Sequence, residues 1–150
     1  MKSMRIGLAS DHRGYALKEY LKEELQERDY ELIDFGTYGE ESVDYPDYAF
    51  LLGEAIQTND IDFGVAICGS GIGISIACNK VKGVRCAKVS TKEEAKITRI
   101  DNNSNVIALS ENTDKEEALS MILEFFNTPF SEEEKHHRRV EKIMKYEESF

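Results

Sequence analysis

The segment Cys68-Gly-Ser-Gly-Ile-Gly-Ile-Ser75 concentrates groups that can do chemistry. Glycines at 69, 71 and 73 leave backbone N–H groups free to point at an anion, and a following helix N-terminus adds partial positive charge. A cysteine in that field is favoured as a thiolate, so Cys68 can serve as a base. Ser70 can donate to a developing oxyanion or relay a proton. The segment lacks the Gly-Lys-Ser/Thr of a Walker loop, and its glycine spacing does not fit the dinucleotide fingerprint. A tight turn around a buried cysteine is the competing reading.

Four further clusters carry suitable side chains. In Asp11-His12 a carboxylate adjoins an imidazole, a pair able to hold sugar hydroxyls and a phosphate or to move protons. A helix cap followed by a surface histidine is the plainer alternative. Asp44-Tyr-Pro-Asp-Tyr48 reads as a turn into a helix, with Asp44 as cap and Pro46 in the first turn. There Tyr45 can offer its hydroxyl to a ligand. Asp101-Asn-Asn-Ser-Asn105 is an amide-rich turn, common at helix ends but also able to hold sugar oxygens. Lys135-His-His-Arg-Arg139 is the one basic cluster. On a helix Lys135, Arg138 and Arg139 share one side, either as a solvated face or as a phosphate clamp.

Short β-type runs alternate with helical patterns and set where these clusters lie. Strands are expected at Arg5 to Ser10, Glu31 to Phe35, Phe63 to Cys68, Val84 to Val89 and Val106 to Leu109. Helical spacing of apolar residues marks Gly14 to Asp29, a segment from Pro46, and Ile74 to Val81. Thr91 with Glu94 and Ser131 with Glu134 form capping-box patterns, and Asp114 caps the helix between them. Alternating strands and helices imply an α/β fold with a parallel sheet covered on both faces. In such sheets ligands collect beyond the carboxyl ends of the strands, here Ser10-Asp11-His12, Phe35-Gly36-Thr37, Cys68-Gly69-Ser70, Ser90-Thr91 and Ser110-Glu111. The last helix, about 131–147, has only a narrow apolar stripe of Val140, Ile143 and Met144, enough to dock on a partner subunit.

The 150 residues suit a single domain over 1–150 that folds without disulfides. Nineteen basic against 29 acidic residues give a net charge of −10, which argues against a nucleic-acid or anionic-membrane binder. No apolar run approaches the ~20 residues of a membrane helix, and the first residues do not form a signal-peptide core. The three cysteines have no C-x-x-C spacing, so neither a disulfide framework nor a zinc site is indicated. A reducing, cytoplasmic location is expected.

Taken together the motifs resemble the ribose-5-phosphate isomerase type B and galactose-6-phosphate isomerase family, and within it the type B enzymes. The resemblance runs through Asp11-His12-x-Gly14, Asp34-x-Gly36-Thr37, Asp44-Tyr45-Pro46-x-Tyr48-Ala49, the Cys68 loop with Asn79-Lys80, Gly83-x-Arg85, Asn102-Asn-Ser-Asn-Val106 and His136-x-x-Arg139-Val140. It implies a Rossmann-like three-layer αβα sandwich with five parallel strands. It also implies a metal-independent aldose–ketose isomerase without cofactor, working on ribose 5-phosphate and ribulose 5-phosphate through a cis-enediolate. Cys68 is then the base and Ser70 assists proton movement between O1 and O2. The amides of Gly69, Gly71, Gly73 and Ser75 hold the enediolate oxygens, and Asp11, Tyr45 and Asn102 hold the sugar. His12 and Arg139 take the phosphate, with Lys135 or Arg138. The family dimerises with the site between subunits, so a homodimer or a dimer of dimers is expected.

Two positions depart from the family pattern. Asp101 stands where a ring-opening histidine is usual, and a carboxylate is a poorer acid near neutral pH. Glu133-Glu-Lys-His136 replaces Gly-Gly-Arg-His, which keeps a charge at Lys135 but loses the bidentate fork. These changes leave open a six-carbon sugar phosphate as substrate, or a domain that binds a sugar phosphate or nucleotide without turnover.

Overall fold

Alternating strands and helices build one sheet in the computed structural model, which describes residues 3–150. The elements are β1 (Arg5–Ser10), α1 (Tyr15–Glu27), β2 (Glu31–Asp34), α2 (Tyr45–Gln57), β3 (Phe63–Cys68) and α3 (Ile72–Cys78). They continue with β4 (Cys86–Lys88), α4 (Lys92–Asn102), β5 (Val106–Ser110), α5 (Lys115–Asn127) and α6 (Glu134–Glu148). The five strands are parallel in the order β2-β1-β3-β5-β4. Register sets Ala66 opposite both Ala9 and Ala108.

The three central strands are apolar without alternation because both their faces are covered. On one face Leu8, Ile67, Ile107 and Leu109 meet Leu21, Leu25, Ile122 and Phe125 of α1 and α5, with Ala95 of α4. On the other, Ala9, Ala66, Cys68 and Ala108 leave room for Leu52 of α2 and Ile74 of α3 to lie close on the sheet. This is the expected three-layer sandwich, with α6 added outside α4. At the outer strand β4, the Asn79 side chain accepts from Cys86 N–H at 2.8 Å and donates to Cys86 C=O at 2.9 Å.

Because α1 leaves β1 toward one face and α3 leaves β3 toward the other, the loops after these neighbours diverge and open a crevice above the sheet. Two glycines let the loops press onto the strands. A Cβ at Gly14 would stand 2.6 Å from the Ile67 carbonyl oxygen. Gly71 caps α3 with φ +78°, and a Cβ there would stand 2.8 Å from the Leu109 carbonyl carbon.

A buried ion pair fixes the third loop. Lys18 of α1 is wholly buried, with Nζ 2.7 Å from Asp34 Oδ2 and 2.9 Å from Oδ1. Asp34 Oδ1 accepts from the Gly36 N–H, and its carbonyl accepts from the Tyr38 hydroxyl. Gly36 and Thr37 then exchange backbone hydrogen bonds with Ser10, the residue before Asp11.

Boundaries differ most from the sequence pattern in α3, β4 and α6. Helix α3 starts at Ile72, because the left-handed Gly71 turns the chain directly into it. Strand β4 shortens to three residues. Helix α6 starts at Glu134 rather than near 131, and no Ser131–Glu134 capping box forms. Ser131 Oγ instead accepts from the Glu133 N–H, and Glu134 pairs with Arg138. Asp44 sits at the α2 N-cap position but its side chain accepts no capping bond. Thr91 and Asp114 do cap, accepting from Glu94 and Glu117 N–H.

Gly71→Ala places a side chain where φ is positive and backbone is already in contact, so it is expected to lower stability by about 1–3 kcal/mol in urea denaturation. Asp34 sets a second expectation. Burial raises its carboxyl, but hydrogen bonds from Lys18, Gly36 N–H and Lys22 outweigh that and hold it below the usual carboxylate value. A depressed carboxyl stabilises the fold above its unfolded pKa and loses that contribution as pH falls through the folded value. The gap in urea midpoint between wild type and Asp34→Asn is therefore expected to be widest near neutral pH and to close below about pH 4.

Candidate active site

Three strand ends meet above β3. Cys68 is the last residue of that strand, 4% exposed, and its Sγ accepts the Gly71 N–H at 3.2 Å. The loop therefore wraps its own cysteine. Ser70 is exposed at the loop tip, its Oγ accepting from Ile72 N–H at 3.1 Å, which leaves the hydroxyl proton for donation. The first-turn amides of Gly73 and Ile74 find no backbone acceptor among the described residues, as expected at a helix start.

Asp11 ends β1 almost fully buried. Its Oδ1 accepts from Arg13 and Gly14 N–H, both at 3.0 Å, which closes the turn ahead of α1; the N-cap itself is Gly14, without a side-chain cap. Its Oδ2 has no partner among the described residues and is left for a ligand. His12 Nδ1 accepts from the Val43 N–H at 3.1 Å. The neutral ring consequently carries its proton on Nε2, which is directed away from Val43 as a donor. Tyr45 opens α2, and its ring lies against Gly73, where a Cβ would come within 2.7 Å of Cζ. Asp11, His12, Tyr45, Cys68, Gly69, Ser70, Gly71 and Gly73 thus form one cluster at the carboxyl ends of the strands.

Ser75 does not join it as an oxygen-holding residue. Its N–H is given to Gly71 C=O and its Oγ to Ile72 C=O at 2.6 Å, so both donors are used inside α3. The Gly71 N–H is likewise engaged, with the sulfur.

The remaining expected residues lie at the opposite end of the sheet. Helix α4 begins beyond β4 and runs back, so that Asp101 and Asn102 reach the amino ends of the strands. There Gly64 N–H, at the start of β3, donates to Asn105 C=O. Four residue steps along β3 lead from that point to Cys68, about 13 Å along the strand. Two arginines hold this turn. Arg85 donates to the Asn102 and Asn103 carbonyls, and Arg99 to the Ser104 carbonyl and Asn103 Oδ1. Burial pushes both guanidinium groups below the ordinary arginine value.

The start of α6 adjoins this end. His136, 9% exposed, has Nε2 3.2 Å from Glu133 and 3.6 Å from Asp101. Lys135 lies 3.8 Å from Glu133, and Arg138 pairs with Glu134. Arg139 is exposed, with no partner among the described residues. Asp101, Asn102, Lys135, Arg138 and Arg139 are therefore grouped, but not with Cys68 in the same chain.

Several neighbours of the cysteine loop escaped the sequence reading. The Val43 amide that orients His12 is a backbone group without a sequence signal. Ser10 Oγ is buried with no hydrogen-bond partner among the described residues, beside Asp11. Glu111 follows β5 and gives its N–H to Cys68 and Gly69 carbonyls, while its carboxylate pairs with Arg13. The strand-end rule had marked Glu111 without a role. The approach of His136 to Asp101 was not legible either.

The sequence pattern of the family described as Ribose/Galactose Isomerase matches residues 6–143. Ribose-5-phosphate isomerase B of Escherichia coli is 37% identical over 144 residues, 96% of this chain and 97% of that protein. The structure of Clostridium thermocellum ribose-5-phosphate isomerase B aligns with a TM-score of 0.94 at 42% identity, over 97% of this chain and 99% of that one. That of the Mycoplasma genitalium enzyme with bound ribulose-5-phosphate aligns over the full length of both chains, with a TM-score of 0.92 at 37% identity. A shared fold, the family pattern matched over residues 6–143 and similarity along nearly the whole chain place this protein in the ribose/galactose isomerase family.

Proposed function

We propose that this chain is a metal-independent aldose–ketose isomerase that interconverts ribose 5-phosphate and ribulose 5-phosphate in the cytoplasm. The observation that carries the reading is a cysteine thiol at the end of β3, wrapped by a glycine loop and flanked by Asp11 and His12. The family membership gives that cluster its reaction class.

The chemistry follows from which groups are unoccupied. Cys68 takes the proton from C2 of the open-chain aldose, and the released pair forms the C1–C2 double bond while O1 is protonated. The Gly71 N–H complements negative charge on the sulfur. The amides of Gly73 and Ile74 face the cis-enediolate oxygens, a kind of stabilisation usually worth about 3–4 kcal/mol per donor. Ser70, with its hydroxyl proton free, moves a proton between O1 and O2. Return of the proton to C1 then gives the ketose. Asp11 Oδ2 and Tyr45 hold hydroxyls, and His12 Nε2–H donates to the phosphate.

The second group of residues completes the site from another copy of the chain. In a homodimer, or a dimer of dimers, the cysteine end of one subunit faces the α4–α6 end of its partner. Asp101 and Asn102 then reach the sugar ring, and Lys135, Arg138 and Arg139 reach the phosphate. Large apolar side chains exposed on α3 (Ile72, Ile76), α4 (Ile97) and α6 (Ile143) support burial of these faces. Asp101 replaces the usual ring-opening histidine and lies beside His136, which supports these two residues as the ring-opening pair. The same replacement favours, as a second reading, a six-carbon sugar phosphate.

Turnover of ribose 5-phosphate in the presence of a chelator is expected for wild type. Cys68→Ala is expected to lower kcat at least about 100-fold while substrate affinity stays within a few-fold. Folded wild type that binds ribose 5-phosphate and does not convert it would refute the pentose reading and direct the same assay to six-carbon sugar phosphates.

A further inference from the structure

We propose that Arg13, anchored by Glu111, is a phosphate contact and specificity-determining residue of the cysteine half of the site. The inference rests on the isomerase reading for its substrate, but its geometry is independent of it. Arg13 directly follows His12, and its side chain crosses above the end of β3. A Cβ at Gly69 would stand 3.9 Å from Arg13 Cβ and Cγ and 3.4 Å from Glu111 Oε2. Arg13 Nε pairs with Glu111 Oε2, a buried oxygen that has no hydrogen-bond partner among the described residues. Glu111 itself is fixed, because its N–H is shared between the Cys68 and Gly69 carbonyls at 3.0 and 3.3 Å.

This anchoring leaves the far side of the guanidinium available. The two Nη groups have no partner among the described residues, and the side chain is 60% exposed. A planar fork with Nε tethered and both Nη groups free suits a tetrahedral dianion. The position adds to the argument. The chain carries a net charge of −10, yet the substrate end must receive a phosphate. Lys135, Arg138 and Arg139 belong to the other end of the molecule. Arg13 brings a cation to the same loop cluster as His12 and Cys68, and Glu111 prevents it from swinging into solvent. Glu111 is the positioning residue, and Arg13 the residue that touches the ligand.

The test compares wild type with Arg13→Gln, Arg13→Lys, Glu111→Gln and the double variant Arg13→Gln/Glu111→Gln. The double variant guards against an effect of leaving the Glu111 carboxylate buried and unpaired. Readouts are kcat and KM for ribose 5-phosphate, the dissociation constant of inorganic phosphate, and that of ribitol, which has the hydroxyls but no phosphate. Loss of a charge-assisted contact is expected to weaken phosphate binding and raise KM about tenfold in Arg13→Gln, with a smaller fall in kcat. Arg13→Lys recovers part of the loss, Glu111→Gln shows a smaller version of it, and ribitol binding stays unchanged. Phosphate affinity and KM at wild-type values in folded Arg13→Gln overturn the inference. So does an equal loss for phosphate and ribitol in both Arg13→Gln and the double variant, which marks a structural role. Should wild type bind phosphate through Arg13 but turn over no ribose 5-phosphate, the pentose reading fails and the phosphate contact stands.

Discussion

The site depends on backbone lying directly on backbone above β3. Gly71 rests against the Leu109 carbonyl and Gly14 against that of Ile67, so the loops after β1 and β3 close down on the strands beside them. That approach turns the Gly71 N–H onto the cysteine sulfur and starts α3 without a spacer. It also brings Asp11 within reach of the same crevice. Small residues continue the theme underneath, where Ala9, Ala66 and Ala108 let α2 and α3 settle close enough for Tyr45 to touch Gly73. Bulk anywhere in this stack would lift a catalytic group by more than the chemistry tolerates.

The buried Lys18–Asp34 pair does for the third loop what glycine does for the first two. A charged pair is an expensive way to fix a turn, since both groups are taken from water. Here the carboxylate is also satisfied by Gly36 N–H and Lys22, and the loop it holds supplies both the Ser10 contacts and the Val43 amide that orients His12. Position, rather than stability alone, is what the pair contributes.

Much of this was legible in the sequence because its causes are local. β1 and β3 match their expected limits since uninterrupted apolar runs end abruptly at polar or glycine residues. β4 shrank because it pairs on one side only. The strand-end rule found Asp11, His12 and Cys68 without any motif, as all three lie where a parallel sheet gathers ligands. The same rule, applied strictly, separates Asp101 from Cys68, because a helix leaving one carboxyl end must return to an amino end before the next parallel strand. Only the family resemblance suggested that the two serve one site. The Arg13–Glu111 pair and the Val43 amide were illegible because each joins distant segments through geometry alone. Ser131 misled because its hydroxyl had a nearer N–H to satisfy than the one a capping box requires.

The outer rim of the sheet carries a last lesson. In β4 the alternate residues Arg85, Ala87 and Val89 turn toward β5, and Cys86 turns outward with its peptide groups exposed to any strand that passes. Asn79 meets that edge with a carboxamide, which has the same donor and acceptor as a peptide bond, and occupies both groups at once. A side chain thereby impersonates the sixth strand. Strand-to-strand addition, the usual route from an open parallel sheet to aggregate, is blocked at Cys86 by a single residue that came from the end of the helix beside it.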